Sequence, residues 1–283
     1  MTNLNDNEIK QAKKLISMSM MSQILENIRQ VIAKDRKQKQ PLILRVNEGF
    51  IFNIARKAIL EKNSTFLLSI AGESASGKTT LVKNSAKACL KSRTDDIYTI
   101  ICCDDYYKDA SKELRQAGNY ERLFESGFSF DTPDAIDLDL MKEHLIKLKE
   151  GKEIYSPLYD FVTCESKKDT ILKKPAKLII NEGLYVLHEK IRNISDVRIY
   201  VYTPFEMIKD RWFARAASRG KTGTAAKMQF HDVNQTAFRH IRPTMDIADV
   251  VINGMTTQTY IEDLIKEFIE AIVSVTKDKH LLF

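Results

Sequence analysis

Apolar residues recur at spacings of three and four from about Asn7 to Ala33, at Ile9, Ala12, Ile16, Met20, Ile24, Ile28 and Val31, and this predicts a long amphipathic helix. A polar stretch carrying Lys34, Arg36, Lys37 and Lys39 follows and ends at Pro41. A second helix is expected from Gly49 to Glu61 through Phe50, Ile54, Ala55 and Ala58. The pattern then changes: Phe66, Leu67, Leu68, Ile70 and Ala71 form a short, nearly continuous apolar run, as in a strand buried on both faces of a parallel sheet. Beyond Gly72 the period becomes helical again at Val82, Ala86, Cys89 and Leu90. Further short runs predict strands at Ile97 to Cys103, Leu178 to Asn181, Val197 to Val201 and Val250 to Ile252. Between them a helix runs from Asp137 as N-cap, through Leu138, Met141, Leu145 and Leu148, to Gly151 just past its end. Ile261, Leu264, Phe268, Ala271 and Val275 mark a closing helix. Alternating strands and helices predict an α/β domain with a mainly parallel sheet flanked by helices.

The first apolar strand runs straight into Gly72, Glu73, Ser74, Ala75, Ser76, Gly77, Lys78, Thr79 and Thr80, which match G-x-x-x-x-G-K-[ST]. The glycines allow successive backbone N–H groups to converge on phosphate oxygens at a helix N-terminus, where the helix dipole also favours negative charge. Lys78 adds a full positive charge for β- and γ-phosphates, and the Thr79 hydroxyl suits Mg²⁺, which takes hard oxygen ligands. A chance match in a Gly/Ser loop is the competing reading; the strand before the loop and the helix after it argue against that.

Composition adds limits rather than answers. A chain of 283 residues, 43% of them hydrophobic, can bury a sizeable core. Its 44 basic and 38 acidic residues leave a formal charge of +6, which suits phosphate-bearing small ligands and is too small to indicate a nucleic-acid partner. No apolar run reaches the length of a membrane span, and Asp6 and Glu8 are out of place in a secretory leader, so a soluble, cytoplasmic protein is expected. The four cysteines, Cys89, Cys102, Cys103 and Cys164, have no zinc-type spacing; the first three read as small core residues. Met18, Met20 and Met21 read as core or subunit packing, which leaves a homo-oligomer open.

In open α/β sheets ligands bind beyond the carboxyl ends of the strands, so acidic residues there carry the most interest. Asp104 follows one strand and Glu182 ends another. Asp104 could accept the proton of an attacking hydroxyl while holding a metal-bound water, and Glu182 could face the same Mg²⁺; for each, a solvated loop carboxylate is the alternative. From Lys209 to Gly220, Arg211, Arg215 and Arg219 are spaced by four and share a helix face. With the flexible Gly220, Thr222 and Gly223 behind them they read as a lid over a triphosphate, or else as a solvated cationic face.

The segments AGESASGKTT, CDDYYKD, FSFDTPDAID, YSPLYDF, INEGL, RWFARAASRG and IRPTMDIADVVI, in this order, resemble the uridine kinase and phosphoribulokinase family of P-loop kinases, and most of all its uridine/cytidine kinase branch. The likeness covers most of Thr65 to Gly254. It implies a P-loop NTPase fold with a parallel five-stranded core (residues 65–283) behind an N-terminal helical extension (residues 1–64). It also implies an ATP- or GTP-dependent transfer, with Mg²⁺, to a hydroxyl of a small metabolite, a pyrimidine nucleoside first among them. Asp104 is then the base, with Lys78, Arg211 and Arg215 as catalytic cations and Thr79, Asp104 and Glu182 near the metal. Asp131 holds ribose hydroxyls, and Tyr107, Tyr159 and Phe161 wall the acceptor pocket. Two departures concern the acceptor. The branch resembles T-H-x-R after YDF, with the histidine reading the base edge, where this chain has Thr163, Cys164, Glu165 and Ser166. It also tends to carry an arginine early in the lid helix, where TPFEMIKD has none. A different alcohol, pantothenate-like or a sugar phosphate, and a nucleotide-binding regulator without kinase activity therefore remain as alternatives.

Overall fold

The computed structural model describes residues 6–53, 65–82 and 98–277. The buried-strand segments pair side by side. The strands are β1 (Ile43–Val46), β2 (Phe66–Gly72), β3 (Tyr98–Cys102), β4 (Ile154–Asp160), β5 (Glu165–Lys173), β6 (Leu178–Gly183), β7 (Val197–Tyr202) and β8 (Val250–Asn253). Six of them form one sheet in the order β1-β8-β7-β2-β6-β3. The five strands from β8 to β3 are mutually parallel, as the sequence predicts. β1 is an addition that the sequence pattern does not reveal: it pairs antiparallel with β8 at the sheet edge. The amides of Leu42, just before β1, and of Ile43, which opens it, donate to the two oxygens of the fully buried Asp35 at 2.9 and 2.8 Å, and Tyr260 donates its hydroxyl to the same carboxylate.

Alternate residues of the central strands enter different cores, as the two-residue period of a strand requires. Leu67, Ala71, Ile101 and Ile179 face one core with Met141, Leu145 and Leu148 of α2 (Leu138–Lys149). Ile70, Ile180, Val201 and Ile252 face the other. That second core is closed by α1 (Asp6–Asp35), through Met20, Ile24, Ile28 and Ile32, and by the last helix, whose Ile261, Leu264, Ala271 and Val275 are buried. Of the expected stripe on α1, Met20, Ile24 and Ile28 are buried, Ile16 and Val31 pack partly buried against the same core, and Ile32 is an addition; the side chains of Ile9 and Ala12 lie outside the described ones. Asp137 caps α2, its carboxylate accepting from the Leu140 amide at 3.0 Å, and Gly151 follows in a left-handed turn. The segment expected as a lid folds as α3 (Phe205–Ser218) and α4 (Gly223–Thr236), and the closing helix is α5 (Gln258–Lys277). β4 and β5 make a separate two-stranded hairpin. Among the described residues no helix is long and apolar enough to cross a membrane. Most of the expected Gly49–Glu61 helix lies outside the described residues, as do Ala86, Cys89, Leu90 and Ile97.

From β2 the chain departs to β3 and β6 on one side and later to β7 and β8 on the other. The phosphate loop therefore leaves the sheet where the direction of winding switches, the place where α/β sheets open a crevice.

Candidate active site

β2 ends at Gly72, where a Cβ would lie 2.7 Å from the carbonyl of Val201 on the neighbouring strand, so only glycine lets the loop start this close to the sheet. Lys78 is buried and donates to the carbonyl of Glu73 at 2.8 Å. Burial lowers its pKa, with Glu182 and Asp104 acting the other way. The Thr79 hydroxyl donates to Oε1 of Glu182 at 3.0 Å, and Cys102 Sγ donates to the same oxygen at 3.3 Å. Glu182 is buried, and desolvation raises its pKa against the pull of Lys78. Asp104 sits on the helical turn Cys103–Tyr106 beyond β3, with Arg215 Nη2 3.4 Å from its Oδ2.

Two clefts open here. The first is lined by Ser74, Asp104, Tyr107, Asp131, Phe161 and Glu182, together with Tyr159 and Cys164. Ala75, Gly77, Thr80, Arg211, Asn253 and Gly254 line the second. Lys78, Thr79 and Arg215 belong to both, so the clefts meet over the start of the phosphate-loop helix. The predicted arginine row spreads along this junction. Arg211 faces the second cleft, Arg215 the junction, and Arg219, at the C-terminal cap of α3, lies 3.8 Å above the ring of Phe161 in the first.

Tyr107, Tyr159 and Phe161 pack mutually, with centroids 5.1 to 5.8 Å apart, and form one aromatic wall. Opposing polar groups are buried with them. Burial, with Asp232 second, pushes the Asp131 carboxyl up to about 7, and Lys221 works against the shift. Lys221 is buried with its Nζ 4.3 Å above the Tyr120 ring and 5.0 Å above that of Phe130; desolvation lowers its pKa. The Tyr159 hydroxyl and Gln229 Oε1 are buried without a hydrogen-bond partner among the described residues. Cys164 is buried at φ 56°, with its Sγ 3.4 Å from the Tyr120 hydroxyl.

The structure thus gathers the predicted residues of both groups along the two clefts, except Gly72, Glu73 and Ser76, which line neither. Glu73, grouped with the loop by position, turns its carboxylate away from both clefts toward Arg242. Lys221, Gln229 and Phe130 are additions. Lys221 stands between Gly220 and Gly223 and reads as hinge sequence, whereas Phe130 lies within the FSFD stretch. Cys102, expected as core, is only half-buried and donates to Glu182, while Cys103 is a fully buried core residue whose thiol burial pushes up to about 12.

The family model described as Phosphoribulokinase / Uridine kinase family matches residues 67–260. The chain belongs to this family. As a member of the phosphoribulokinase/uridine kinase family it is a P-loop kinase, a phosphotransferase. The uridine kinase of Borrelia turicatae (strain 91E135) is 35% identical over 189 residues, which cover 66% of this chain and 85% of that protein. Uridine-cytidine kinase-like 1 of Mus musculus is 29% identical over 242 residues, 83% of this chain and 42% of that protein. A solved structure of a putative fructose transport system kinase from Silicibacter sp. TM1040 aligns with a TM-score of 0.49 at 18% identity, covering 69% of this chain and 94% of that one.

Proposed function

We propose that the protein transfers the γ-phosphoryl group of ATP, or of GTP, to a hydroxyl of uridine or cytidine, forming UMP or CMP. The observation that carries this reading is the meeting of two clefts at Lys78, Thr79 and Arg215, with a carboxylate, Asp104, on the acceptor side alone. A donor nucleotide in the second cleft brings its γ-phosphate to the junction, and an acceptor in the first brings its hydroxyl to the same point. Asp104 accepts the proton of that hydroxyl as it attacks. Lys78 and the lid arginines Arg211 and Arg215 take up the charge on the phosphoryl oxygens, so most of the rate comes from positioning and electrostatics. Mg²⁺ fits the donor set, since the Thr79 hydroxyl and the Glu182 carboxylate present hard oxygens 3.0 Å apart and Asp104 lines the same cleft. When bound it would neutralise phosphate charge.

The acceptor end supports a pyrimidine nucleoside. Asp131 can accept from a pair of sugar hydroxyls, the aromatic wall suits a flat ring, and the donors Lys221 and Tyr159 suit carbonyl oxygens of a base. These donors stand in for the histidine missing at Cys164. One observation favours a second reading within the same reaction: the buried thiol of Cys164 is a weak partner for a base edge, as would be expected of a pocket shaped for another alcohol, pantothenate-like or a sugar phosphate. Coupled ADP release measured across uridine, cytidine, pantothenate, ribulose 5-phosphate and glycerate separates the two. Turnover of a nucleoside at least about a hundredfold above the others is expected, and preference for a non-nucleoside alcohol would overturn the assignment.

A further inference from the structure

Glu73 is the first residue of the phosphate loop after Gly72, yet its carboxylate lines neither cleft. It takes a forked pair of bonds from Arg242, Nε to Oε1 at 3.0 Å and Nη2 to Oε2 at 2.9 Å. The same Nη2 donates to Asn234 Oδ1 at 2.6 Å. Glu73 is held on its other side as well, because its carbonyl accepts from Lys78. A continuous row of contacts thus runs from Asn234 on α4, through Arg242 and Glu73, to the lysine of the loop. Local backbone supplies the aim: α4 ends in a wide π turn, Ala237–Ile241, and Arg242 opens the 3₁₀ turn directly after it. Such wide turns shift the register of the residues beyond them.

The far side of the loop has its own anchor. Thr203 donates its buried hydroxyl to the Ser76 carbonyl at 2.9 Å, and a Cβ on Gly254 would lie 2.6 Å from that oxygen. The two anchors flank Ala75, which holds φ 64°, a left-handed conformation that an alanine resists. An exposed ion pair would contribute little, but here the Glu73 side chain is only 14% exposed and the geometry is bidentate.

We propose that Arg242 is a positioning residue for nucleotide binding: its forked bond to Glu73 and its tie to Asn234 hold the phosphate loop and Lys78 in their binding shape. The inference rests on the loop holding a nucleotide and is independent of the acceptor's identity. It is tested by titrating ADP into the full-length protein, with melting temperatures recorded in parallel. The forms compared are wild type, Glu73→Gln, Arg242→Gln, the double variant and Arg242→Lys. Each neutral single variant should raise the Kd for ADP about tenfold. The double variant should be no weaker than the worse single one, because one interaction is lost in all three. Arg242→Lys should fall between, since an ammonium cannot make the fork. The acceptor KM should stay near wild type, and the stability lost on breaking the pair should not follow the loss of affinity from variant to variant. Single variants within twofold of wild type, effects that multiply in the double variant, or losses of affinity that follow losses of melting temperature would each overturn the proposal. Should Arg242→Gln fail to fold, Glu73→Gln and Arg242→Lys carry the same comparison. A wild type that binds no ADP would instead remove the nucleotide reading itself.

Discussion

Replacing Asp131 by Asn should move activity and stability in opposite directions. The Asp131 carboxyl is buried and its pKa lies near 7, well above the ordinary 3.8 for an aspartate. In the proposed reading, its ionised form accepts two sugar hydroxyls. Hydrogen bonds to a charged group contribute about 1.5 to 3 kcal/mol each, so loss of the charge on this acceptor should lower kcat/KM for the nucleoside by roughly a hundredfold to a thousandfold. The wild-type value should itself fall about tenfold per pH unit below pH 7, and Asp131→Asn should lose this dependence. Stability follows from the same shift. Between about pH 4 and pH 7 the folded chain holds a proton on Asp131 that the unfolded chain has released, so the wild type loses stability as pH rises through this window. The full difference is on the order of 4 kcal/mol above pH 7. The Asn variant avoids that cost, and its melting temperature at pH 8 should exceed wild type by several degrees. Steady-state kinetics from pH 5.5 to 8.5 and melting curves at pH 5 and 8 are the assays. A variant with unchanged nucleoside kcat/KM, or one that melts lower than wild type at both pH values, would refute the reasoning.

Lys78→Ala should lower turnover at least about a hundredfold with little change in melting temperature; near-normal turnover would remove the role given to the loop lysine. Asp104→Asn should lower kcat by about a hundredfold or more while ATP still binds by calorimetry, and Asp105→Asn should be mild, because Asp104 alone of the pair lines the cleft; the reverse ranking would contradict the assignment. Cys164→His should raise nucleoside kcat/KM by about fivefold, the equivalent of one hydrogen bond of about 1 kcal/mol, since histidine tolerates the left-handed backbone found there; unchanged or lower nucleoside use would count against a base edge lying beside this residue.

The parallel core is legible in the sequence because its strands are short apolar runs buried on both faces, a signal that needs no knowledge of their partners. β1 is different. Its four residues become a strand through pairing with β8, some two hundred residues later, and through Asp35, whose capping bonds leave no periodic trace. The β4–β5 hairpin is hidden for another reason: Pro157 argues against a strand and sits where the register shifts between Ser156 and Leu158, while Glu165–Lys173 is too polar to show an apolar period. In the site, Lys78, Thr79, Asp104 and Glu182 are legible because a loop motif and strand ends have fixed places in an α/β sheet. The pairing of Glu73 with Arg242 spans 169 positions and depends on a π turn, so no local pattern reveals it. Lys221 is masked by the glycines around it, which signal a hinge more strongly than one lysine signals a buried donor.

The proposed reaction passes a phosphoryl group from a nucleotide in one cleft to a hydroxyl in the other beside Asp104. Its most direct test is to incubate the protein with γ-labelled ATP, Mg²⁺ and uridine or cytidine, and to follow label into the nucleoside monophosphate, with Asp104→Asn in parallel. Labelled UMP or CMP from the wild type, reduced about a hundredfold or more in the variant, is the expected result. No labelled nucleoside monophosphate from the wild type, or equal amounts from both forms, would contradict it.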